Sequence, residues 1–429
     1  MWQSVILFCL LSQVPHNVAG PLNKYEHYLG LHSVDIFREY LRIDTSNPDN
    51  MEHAVTFLIR QIKDMGIPYA LYEPAGKPIL VATVQGSDPS LPSIMLNSHI
   101  DVVKADASEW KHPPFEAYMD AIGDIYARGT QDTKDLGIQY LEALRKLKHD
   151  NITLLRTVHV TYMPDEETGG KYGMKAFVKT EHFKSLNVGF ALDEGLVSSD
   201  DILYATFVDK RPWQMVFVIN GKGGHGFSMP DDTAMEKTYN FIKAVMAYRL
   251  TQKGILMAHS KSNIDLESIA NITSVNINII NGGLAENIIP SKMTLTVDMR
   301  LATHADVAEM DALVQSWIAA TGNTTEISYL RKETESAVTS VDVSNPYWIS
   351  MKNTLNNMGI KVIPAVCPAT SDIMVIRNQG IPAIGFSTKR GTVAKLHAKD
   401  EYQNVETFLK GIDIYKEIIK NLANLPSCE

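Results

Sequence analysis

Ser93-Ile-Met-Leu-Asn-Ser-His-Ile-Asp101 joins a short apolar run to a histidine and an aspartate. The apolar part has the length and composition of a buried strand, and the polar residues follow where that strand would end. In open α/β sheets, binding sites form outside the carboxyl ends of the strands. This stretch therefore predicts an α/β fold and indicates which edge of the sheet carries a site.

Acidic residues and histidines stand in comparable positions in four other segments. The predicted strand 157–162 leads into Pro-Asp-Glu-Glu-Thr-Gly-Gly at 164–170, and Phe190-Ala-Leu192 leads into Asp193-Glu194-Gly195. Gly129-Thr-Gln-Asp132 precedes a predicted helix, and Leu396-His397 lies far downstream. These segments are expected to meet at one edge of the sheet.

The residue types in these segments favour metal chemistry. Two histidines with several carboxylates match the ligands that zinc takes in proteins. In His99-x-Asp101 the histidine can bind a metal while the aspartate accepts the other ring N–H. In Glu166-Glu167 one side chain can ligate while the other reaches a metal-activated water as general base. Each motif alone more often marks a solvated turn, and spacing leaves both interpretations open.

The order of predicted elements indicates two domains. Strands alternate with helices up to about residue 209, which predicts an α/β sheet layered between helices. Four strands and two helices then form a compact α+β unit, after which the α/β pattern returns. We therefore predict a first domain of residues 21–209 and 331–429, interrupted by an inserted domain of residues 210–330.

Composition excludes several classes of protein. A net charge of −9 offers no basic field for a nucleic acid backbone, so no nucleic acid partner is expected. The three cysteines, Cys9, Cys367 and Cys428, are too few for a disulfide scaffold or a cysteine-only zinc site, and pairing of the last two stays open. No segment is apolar over the ~20 residues of a membrane span.

The N-terminus predicts a secretory route. An apolar run at 5–11, followed by small residues at 19–20, is typical of a signal peptide over residues 1–20. No basic residue precedes Lys24, so a buried N-terminal element and a cytoplasmic location are the alternatives. Three sequons, which fit secretion but also arise by chance, lie at Asn151, Asn271 and Asn323.

Five ordered motifs resemble those of the zinc-dependent aminoacylases, within the wider carboxypeptidase-like metallopeptidases. They are Asn-Ser-His-Ile-Asp-Val-Val (97–103), Tyr-Ala-Arg-Gly-Thr-Gln-Asp (126–132), Pro-Asp-Glu-Glu-Thr-Gly-Gly (164–170), Phe-Ala-Leu-Asp-Glu-Gly (190–195) and Leu-His (396–397). The resemblance implies a mixed-sheet zinc-peptidase catalytic domain flanked by helices, with an inserted four-stranded, two-helix α+β domain for dimerisation or as a lid. It also implies hydrolysis of N-acyl-L-amino acids to a carboxylate and a free L-amino acid.

The resemblance further implies two zinc ions per subunit, held by residues of these motifs. One implied ligand comes from the neighbouring acids Asp193 and Glu194. Glu194 is the choice here, and Asp193 is the alternative, because dipeptidase-like members of the family use aspartate as this ligand. The implied ligands are His99 and Glu194 for one ion, Glu167 and His397 for the other, and Asp132 bridging both.

Other roles are carried over from the family in the same way. Glu166 would be the general base, and Asp101 would orient the first histidine ligand. In a homodimer formed through the lid domain, His225 in Gly-Gly-His would reach the partner's site and stabilise the oxyanion. Asn287 would contact substrate or oxyanion, whereas Arg300 is left open between carboxylate recognition and a structural ion pair.

One departure from the family pattern concerns substrate anchoring. Ser371-Asp372-Ile373-Met374 stands where the family carries Thr-Asp-x-Arg, and methionine suggests a more apolar or adaptable pocket. Three alternative functions stay open: a carboxypeptidase or dipeptidase of the same fold, a secreted N-acyl amino acid synthase/hydrolase acting on long-chain acyl groups, and a non-catalytic binding protein on an enzyme fold.

Overall fold

The computed structural model describes residues 24–259 and 266–427. The predicted signal peptide and Cys428 lie outside these residues. Over the described part of the chain, no helix combines the length and apolar character needed to cross a membrane.

The described helices and strands alternate along most of the chain. The helices are α1 (His32–Leu41), α2 (Met51–Asp64), α3 (Lys134–His149), α4 (Met174–Phe177), α5 (Glu181–Ser185), α6 (Ala234–His259), α7 (Leu266–Ala270), α8 (Val307–Ala319), α9 (Pro346–Asn357), α10 (Asp372–Arg377) and α11 (Val405–Ala423). The strands are β1 (Tyr69–Tyr72), β2 (Ile79–Val84), β3 (Ser93–His99), β4 (Tyr118–Met119), β5 (Asp124–Tyr126), β6 (Val158–Met163), β7 (Val188–Asp193), β8 (Ile202–Asp209), β9 (Arg211–Asn220), β10 (Gly224–His225), β11 (Ser274–Gly282), β12 (Ile288–Ile289), β13 (Lys292–Leu301), β14 (Thr325–Lys332), β15 (Lys361–Cys367), β16 (Ala383–Phe386) and β17 (Tyr402–Asn404).

A mixed sheet of eight described strands forms the centre of the first domain, in the order β1-β2-β6-β3-β7-β16-β8-β15. β3 pairs in parallel with β6 on one side and with β7 on the other. The carboxyl ends of these three strands therefore lie side by side, as the strand-end motifs predict.

Helices cover both faces of this large sheet. Ile94 and Leu96 of β3 face a core shared with α1, α2, α3, α9 and α11, whereas Met95 faces a second core with α4, α5 and α10. Because both faces are buried, the strands consist of continuous apolar runs instead of alternating ones. This explains why short apolar segments predicted these strands.

The inserted domain is built on a separate antiparallel sheet in the order β11-β13-β9-β14. Phe241 of α6 and Trp317 of α8 pack on one face of this sheet, against Trp213 and Phe217 of β9. The predicted fold class, a mixed α/β domain with an inserted four-stranded α+β domain, is confirmed. The strands of the insertion run from Arg211 to Lys332, and the exact domain boundaries stay a prediction.

Candidate metal centre and active site

The large sheet brings five predicted ligands together at its carboxyl edge. His99 is the last residue of β3, Glu167 follows β6, and Glu194 directly follows β7. Asp132 lies two residues before α3, and His397 lies in the loop before β17. Two groups of side chains each offer ligand atoms within 4.8 Å of one another: His99, Asp132 and Glu194, and Asp132, Glu167 and His397.

Asp132 is shared by the two groups. Its Oδ1 lies 3.1 Å from Nε2 of His99, and its Oδ2 lies 3.0 Å from Nε2 of His397. Nε2 of His397 also lies 3.0 Å from Oε2 of Glu167, and Nε2 of His99 lies 3.6 Å from Oε2 of Glu194. Each carboxylate oxygen of Asp132 therefore faces a different imidazole, which is the arrangement of a bridging ligand.

The hydrogen bond of Nδ1 determines which ring nitrogen of His99 carries the proton. Nδ1 lies 2.7 Å from the main-chain carbonyl of Asp101, which can only accept, so Nδ1 carries a proton. In the neutral ring Nε2 then carries a lone pair that faces the carboxylates of Asp132 and Glu194, an arrangement that either a bound cation or a second proton on the ring stabilises. Burial opposes protonation, yet the hydrogen bonds with these carboxylates raise the pKa of His99 well above its usual range.

The side chain of Asp101 does not accept the ring N–H of His99, although the His-x-Asp spacing predicts that it does. Its carboxylate Oδ1 lies 3.8 Å from Nδ1 of His99, and the main-chain oxygen takes the histidine hydrogen bond. The carboxylate instead accepts the main-chain N–H groups of Glu166 and Glu167, at 3.1 and 3.2 Å. Asp101 thus orients His99 through its backbone and fixes the turn that carries both glutamates.

That turn is conformationally unusual. Asp165, which precedes the short 3-10 helix Glu166–Thr168, has φ of 58°, a left-handed conformation that is rare for residues other than glycine. His397 has φ of 60°. Such backbone conformations persist where surrounding structure fixes them, and they concentrate at functional sites.

The two neighbouring acids after β7 have different surroundings. Glu194 belongs to the first ligand group, whereas Asp193 does not. The buried carboxylate of Asp193 accepts the main-chain N–H of Glu194 at 2.8 Å. The geometry therefore favours Glu194 as the ligand and gives Asp193 a supporting contact.

Glu401, which the motifs did not indicate, organises the loop that carries Asp132. This fully buried carboxylate accepts main-chain N–H groups of Gly129, Gln131 and Asp132 and pairs with Arg128 at 2.7 Å. No local motif marks it, because its partners lie about 270 residues away in sequence.

The side chain of Gln131 connects the same loop to the segment before β17. Its amide nitrogen donates to the carbonyls of Val393 and Tyr402, and its oxygen accepts the N–H of Lys395. His397 lies within this segment. The contacts of Gln131 therefore hold two predicted ligands, Asp132 and His397, in a fixed relation.

The clustered carboxylates and imidazoles shift one another's pKa values. Burial and the charge of Asp132 raise the pKa of Glu194 to about 8. Burial and the charge of Glu194 raise the pKa of Glu166 well above its usual range. Hydrogen bonds that the protonated ring donates to the carboxylates of Asp132 and Glu167 raise the pKa of His397 to about 10.

These residues fit a pair of metal ions. Three carboxylates converge on two imidazoles in the two ligand groups, and Oε1 of Glu167 is buried without a hydrogen-bond partner among the described residues. Excess negative charge and unpaired acceptor atoms in a buried site are compensated by bound cations. The donor atoms are imidazole nitrogens and carboxylate oxygens, which suit divalent transition metals such as zinc.

A cavity of about 320 Å³ opens beside this cluster, between the two domains. Asp132, Glu166, Glu167, Glu194 and His397 line it on one side. The antiparallel sheet of the inserted domain, called the lid domain from here on, contributes Gln214, Arg300 and Arg331 on the other side. Of these three, Arg300 is the residue that the family resemblance indicates; it lies in the cavity wall and also pairs with Asp298 at 3.0 Å.

Met374 does not contribute to this cavity. Its side chain is fully buried in α10 and is absent from the described cavity lining. The expectation of a more apolar or adaptable pocket therefore finds no support in the described lining and stays a prediction. The nearby Arg377 serves the fold, since it is buried and pairs with Asp209 at 2.8 Å.

His225 and Asn287 lie together on an exposed part of the lid domain. β10 pairs with β12, and the N–H of Gly226 donates to the carbonyl of Asn287 at 2.7 Å. Neither His225 nor Asn287 is among the described residues that line the cavity of their own chain. The N–H of Phe227 donates to Nδ1 of His225 at 3.3 Å, so Nε2 carries the proton of the neutral ring and points a donor outward.

The remaining strand histidine is structural. His159 of β6 is buried, with Nδ1 2.9 Å from the hydroxyl of Thr83 and Nε2 3.1 Å from the carbonyl of Leu186. Burial lowers the pKa of its ring. Both ring nitrogens of His159 are therefore engaged by contacts within the fold.

Residues 95–421 match the peptidase family M20/M25/M40. The chain belongs to this family and is a metal-dependent amidohydrolase. It is similar to aminoacylase-1 of Sus scrofa, with 39% identity over 397 residues that cover 92% of this chain and 96% of the relative. The resemblance to the aminoacylases that the motifs predict is therefore confirmed.

Solved structures share the fold. A di-peptidase from Saccharomyces cerevisiae, Dug1p, has a TM-score of 0.77 at 14% identity, covering 94% of this chain and 98% of that chain. YXEP from Bacillus subtilis, described as a dinuclear metal binding peptidase, has a TM-score of 0.63 at 13% identity, covering 90% and 96%. At these identities the likeness concerns the fold alone.

Glu401→Gln is expected to weaken metal binding by about 10- to 100-fold, because the loop that carries Asp132 loses the charged acceptor of three N–H groups. Competition with a chromophoric chelator measures this affinity. Glu181→Gln, the same change at an exposed surface position, is the control and should behave like the wild type. Unchanged metal affinity in Glu401→Gln would mean that Glu401 contributes to the fold alone.

Proposed function

We propose that the protein hydrolyses N-acyl-L-amino acids to a carboxylate and a free L-amino acid, with two zinc ions and Glu166 as general base. The observation that best supports this is Asp132, whose two oxygens face different imidazoles within a cluster of glutamates. The similarity to aminoacylase-1 supports the choice of substrate. His99 and Glu194 would hold one ion, Glu167 and His397 the other, and Asp132 both.

The reaction follows from what the residues beside the metals can do. When bound, two zinc ions would lower the pKa of a shared water and polarise the acyl carbonyl. Glu166 lines the same cavity and belongs to neither ligand group, so its carboxylate is available to take a proton from this water. Protonated Glu166 then gives the proton to the amine nitrogen as the amide bond breaks.

The oxyanion that forms when water attacks the carbonyl needs a further hydrogen-bond donor. His225 offers Nε2–H from an exposed turn, and Asn287 lies beside it. We propose that both act in the site of a partner subunit, since they do not line the cavity of their own chain. Phe227, Met229 and Leu284 on the same turns are 84%, 96% and 89% exposed, as expected of residues that another subunit covers.

The lid helix α6 supports a homodimer through a second feature. Its inner face packs on the lid sheet through Phe241 and Val245. Its outer face carries five exposed apolar side chains at alternating spacings of four and seven residues, which form one stripe along the helix. They are Met235, Tyr239, Met246, Leu250 and Met257. A helix that is apolar on both faces is expected to lie between a core and a second protein surface.

A substrate panel tests the proposed reaction. N-acetyl amino acids are expected to release free amino acid, detected as primary amine. A chelator should abolish turnover and added zinc should restore it. Dipeptides and long-chain N-acyl amino acids are the comparison substrates, measured at equal enzyme concentration.

The panel has outcomes that contradict the proposal. Faster release from dipeptides would indicate a dipeptidase or carboxypeptidase, and preference for long-chain acyl groups would indicate the synthase/hydrolase alternative. Turnover that survives complete metal removal would exclude the metal mechanism. Metal analysis that finds no zinc in purified protein would exclude zinc as the native ion.

A further inference from the structure

Strand β14 changes its register just before the cavity. Tyr329 pairs with Met215 of β9, but Arg331, two residues later, pairs with the adjacent Gln214, so Leu330 is an extra, bulged residue. Residues paired across two strands share a face of the sheet. The bulge therefore places Arg331 on the same face of the sheet as Gln214. Tyr329 lies on the opposite face.

The next residue confirms the effect of the bulge. Lys332 pairs with Trp213, on the buried face, and its ammonium group lies 4.5 Å from the centre of the Trp213 ring. Without the bulge, strict alternation would place Arg331 on the buried face with Tyr329. β-bulges commonly redirect side chains next to active sites.

On its new face Arg331 joins a row of polar side chains that crosses the lid sheet. Gln214 is paired with Asp298 of β13, and its amide donates to that carboxylate at 3.1 Å. Arg300 lies two residues further along β13 and pairs with the same carboxylate. Gln214, Arg300 and Arg331 are the lid residues of this row that line the cavity.

Arg331 reaches across to the catalytic turn. A Cβ added at Gly169 would lie 3.7 Å from Cδ and 3.8 Å from Nη1 of Arg331, so the arginine packs directly over this glycine. Gly169 is three residues after Glu166, the proposed general base. The guanidinium group thus lies against the turn that carries Glu166 and lines the same cavity, although it belongs to the other domain.

The charges around Arg331 do not balance. Nε of Arg331 pairs with Glu333 at 3.2 Å, and Glu333 also pairs with Lys175 of the first domain. One carboxylate therefore meets two cations, which leaves one positive charge at this end of the cavity. By contrast, Arg300 has Asp298 as its own partner. No described hydrogen bond of Arg331 uses its Nη atoms. These atoms can therefore donate to a ligand.

We propose that Arg331 is a specificity-determining residue that binds the carboxylate of the substrate's amino acid half. This inference rests on the proposed function, because it needs a substrate whose scissile amide lies at Glu166. A carboxylate two bonds from the amide nitrogen matches a guanidinium group beside the catalytic turn. Arginine binds carboxylates through paired N–H donors, which gives both affinity and orientation.

Paired substrates test the proposal in the metal-loaded enzyme. The probes are N-acetyl-L-methionine and its carboxamide, which differ only in the group that Arg331 would bind. In Arg331→Gln we expect KM for the carboxylate substrate to rise by about 10- to 100-fold, with kcat changed much less. KM for the carboxamide should stay at the wild-type value. Arg331→Lys should recover part of the loss, because it restores charge without the paired donors.

Lys332→Gln is the matched control, because it removes the neighbouring charge on the opposite face of β14 and should leave the substrate preference unchanged. Equal losses for both substrates in Arg331→Gln, or an unchanged preference for the carboxylate, would overturn the role of Arg331. A loss of preference in Arg300→Gln alone would assign the carboxylate to Arg300 instead. If the wild type hydrolyses neither probe nor any other N-acyl amino acid, the proposed function fails first, and the two failures are distinguishable.

Discussion

Glu166→Ala is expected to lower kcat by about a hundred- to ten-thousandfold, while the metal content stays at the wild-type level. The proton of the attacking water loses its acceptor, and the leaving amine loses its donor. The metal content should persist because Glu166 belongs to neither ligand group. Steady-state kinetics with N-acetyl amino acids and metal analysis of the same preparation measure the two quantities.

Two comparisons make this result specific. Glu181→Ala removes an exposed glutamate that pairs with Lys184 on α5, and it should keep full activity. Glu167→Ala removes a residue of the second ligand group and should lose both activity and metal. Near wild-type turnover in Glu166→Ala would assign the base to another group, and loss of metal in this variant would make Glu166 a ligand.

The parts of the site that the strand pattern predicts most directly lie at strand ends. His99 is the last residue of β3, and Glu167 and Glu194 follow β6 and β7. The apolar runs of these strands are recognisable because helices bury both faces of the sheet. Parallel pairing then places their ends together. The edge strand β15 was not predicted, because it contains Pro364 and most of its residues are only partly buried or exposed, as edge strands allow.

Other features depend on contacts that no local pattern encodes. Glu401 acts on a loop about 270 residues away, and its role is visible only after folding. The His-x-Asp spacing predicts that Asp101 supports His99, yet it does not reveal that the main-chain oxygen does so. The direction of Arg331 depends on a bulge that breaks the two-residue period of its strand. In each case the tertiary structure determines which group faces the site.

His225→Ala is expected to abolish most activity without changing metal content, because the oxyanion loses a donor while the ligand groups remain intact. An oxyanion donor that acts within its own chain would give the same loss. The two cases separate when His225→Ala is mixed with Glu166→Ala after both are dissociated and allowed to reassociate. Each variant is inactive alone, and each supplies what the other lacks.

In a dimer where His225 crosses to the partner, a mixed pair contains one site with both defects and one site with none. Random association makes about half of the dimers mixed, so about one quarter of wild-type activity should return. If His225 serves its own chain, every site keeps one defect and no activity returns. Leu250→Arg places a charge on the exposed stripe of α6 and should prevent dimerisation, which light scattering measures. It should also reduce activity, although Leu250 is not among the described residues that line the active-site cavity. Recovery of a quarter of the activity, together with an inactive monomer, would require that the active site is completed by the second subunit.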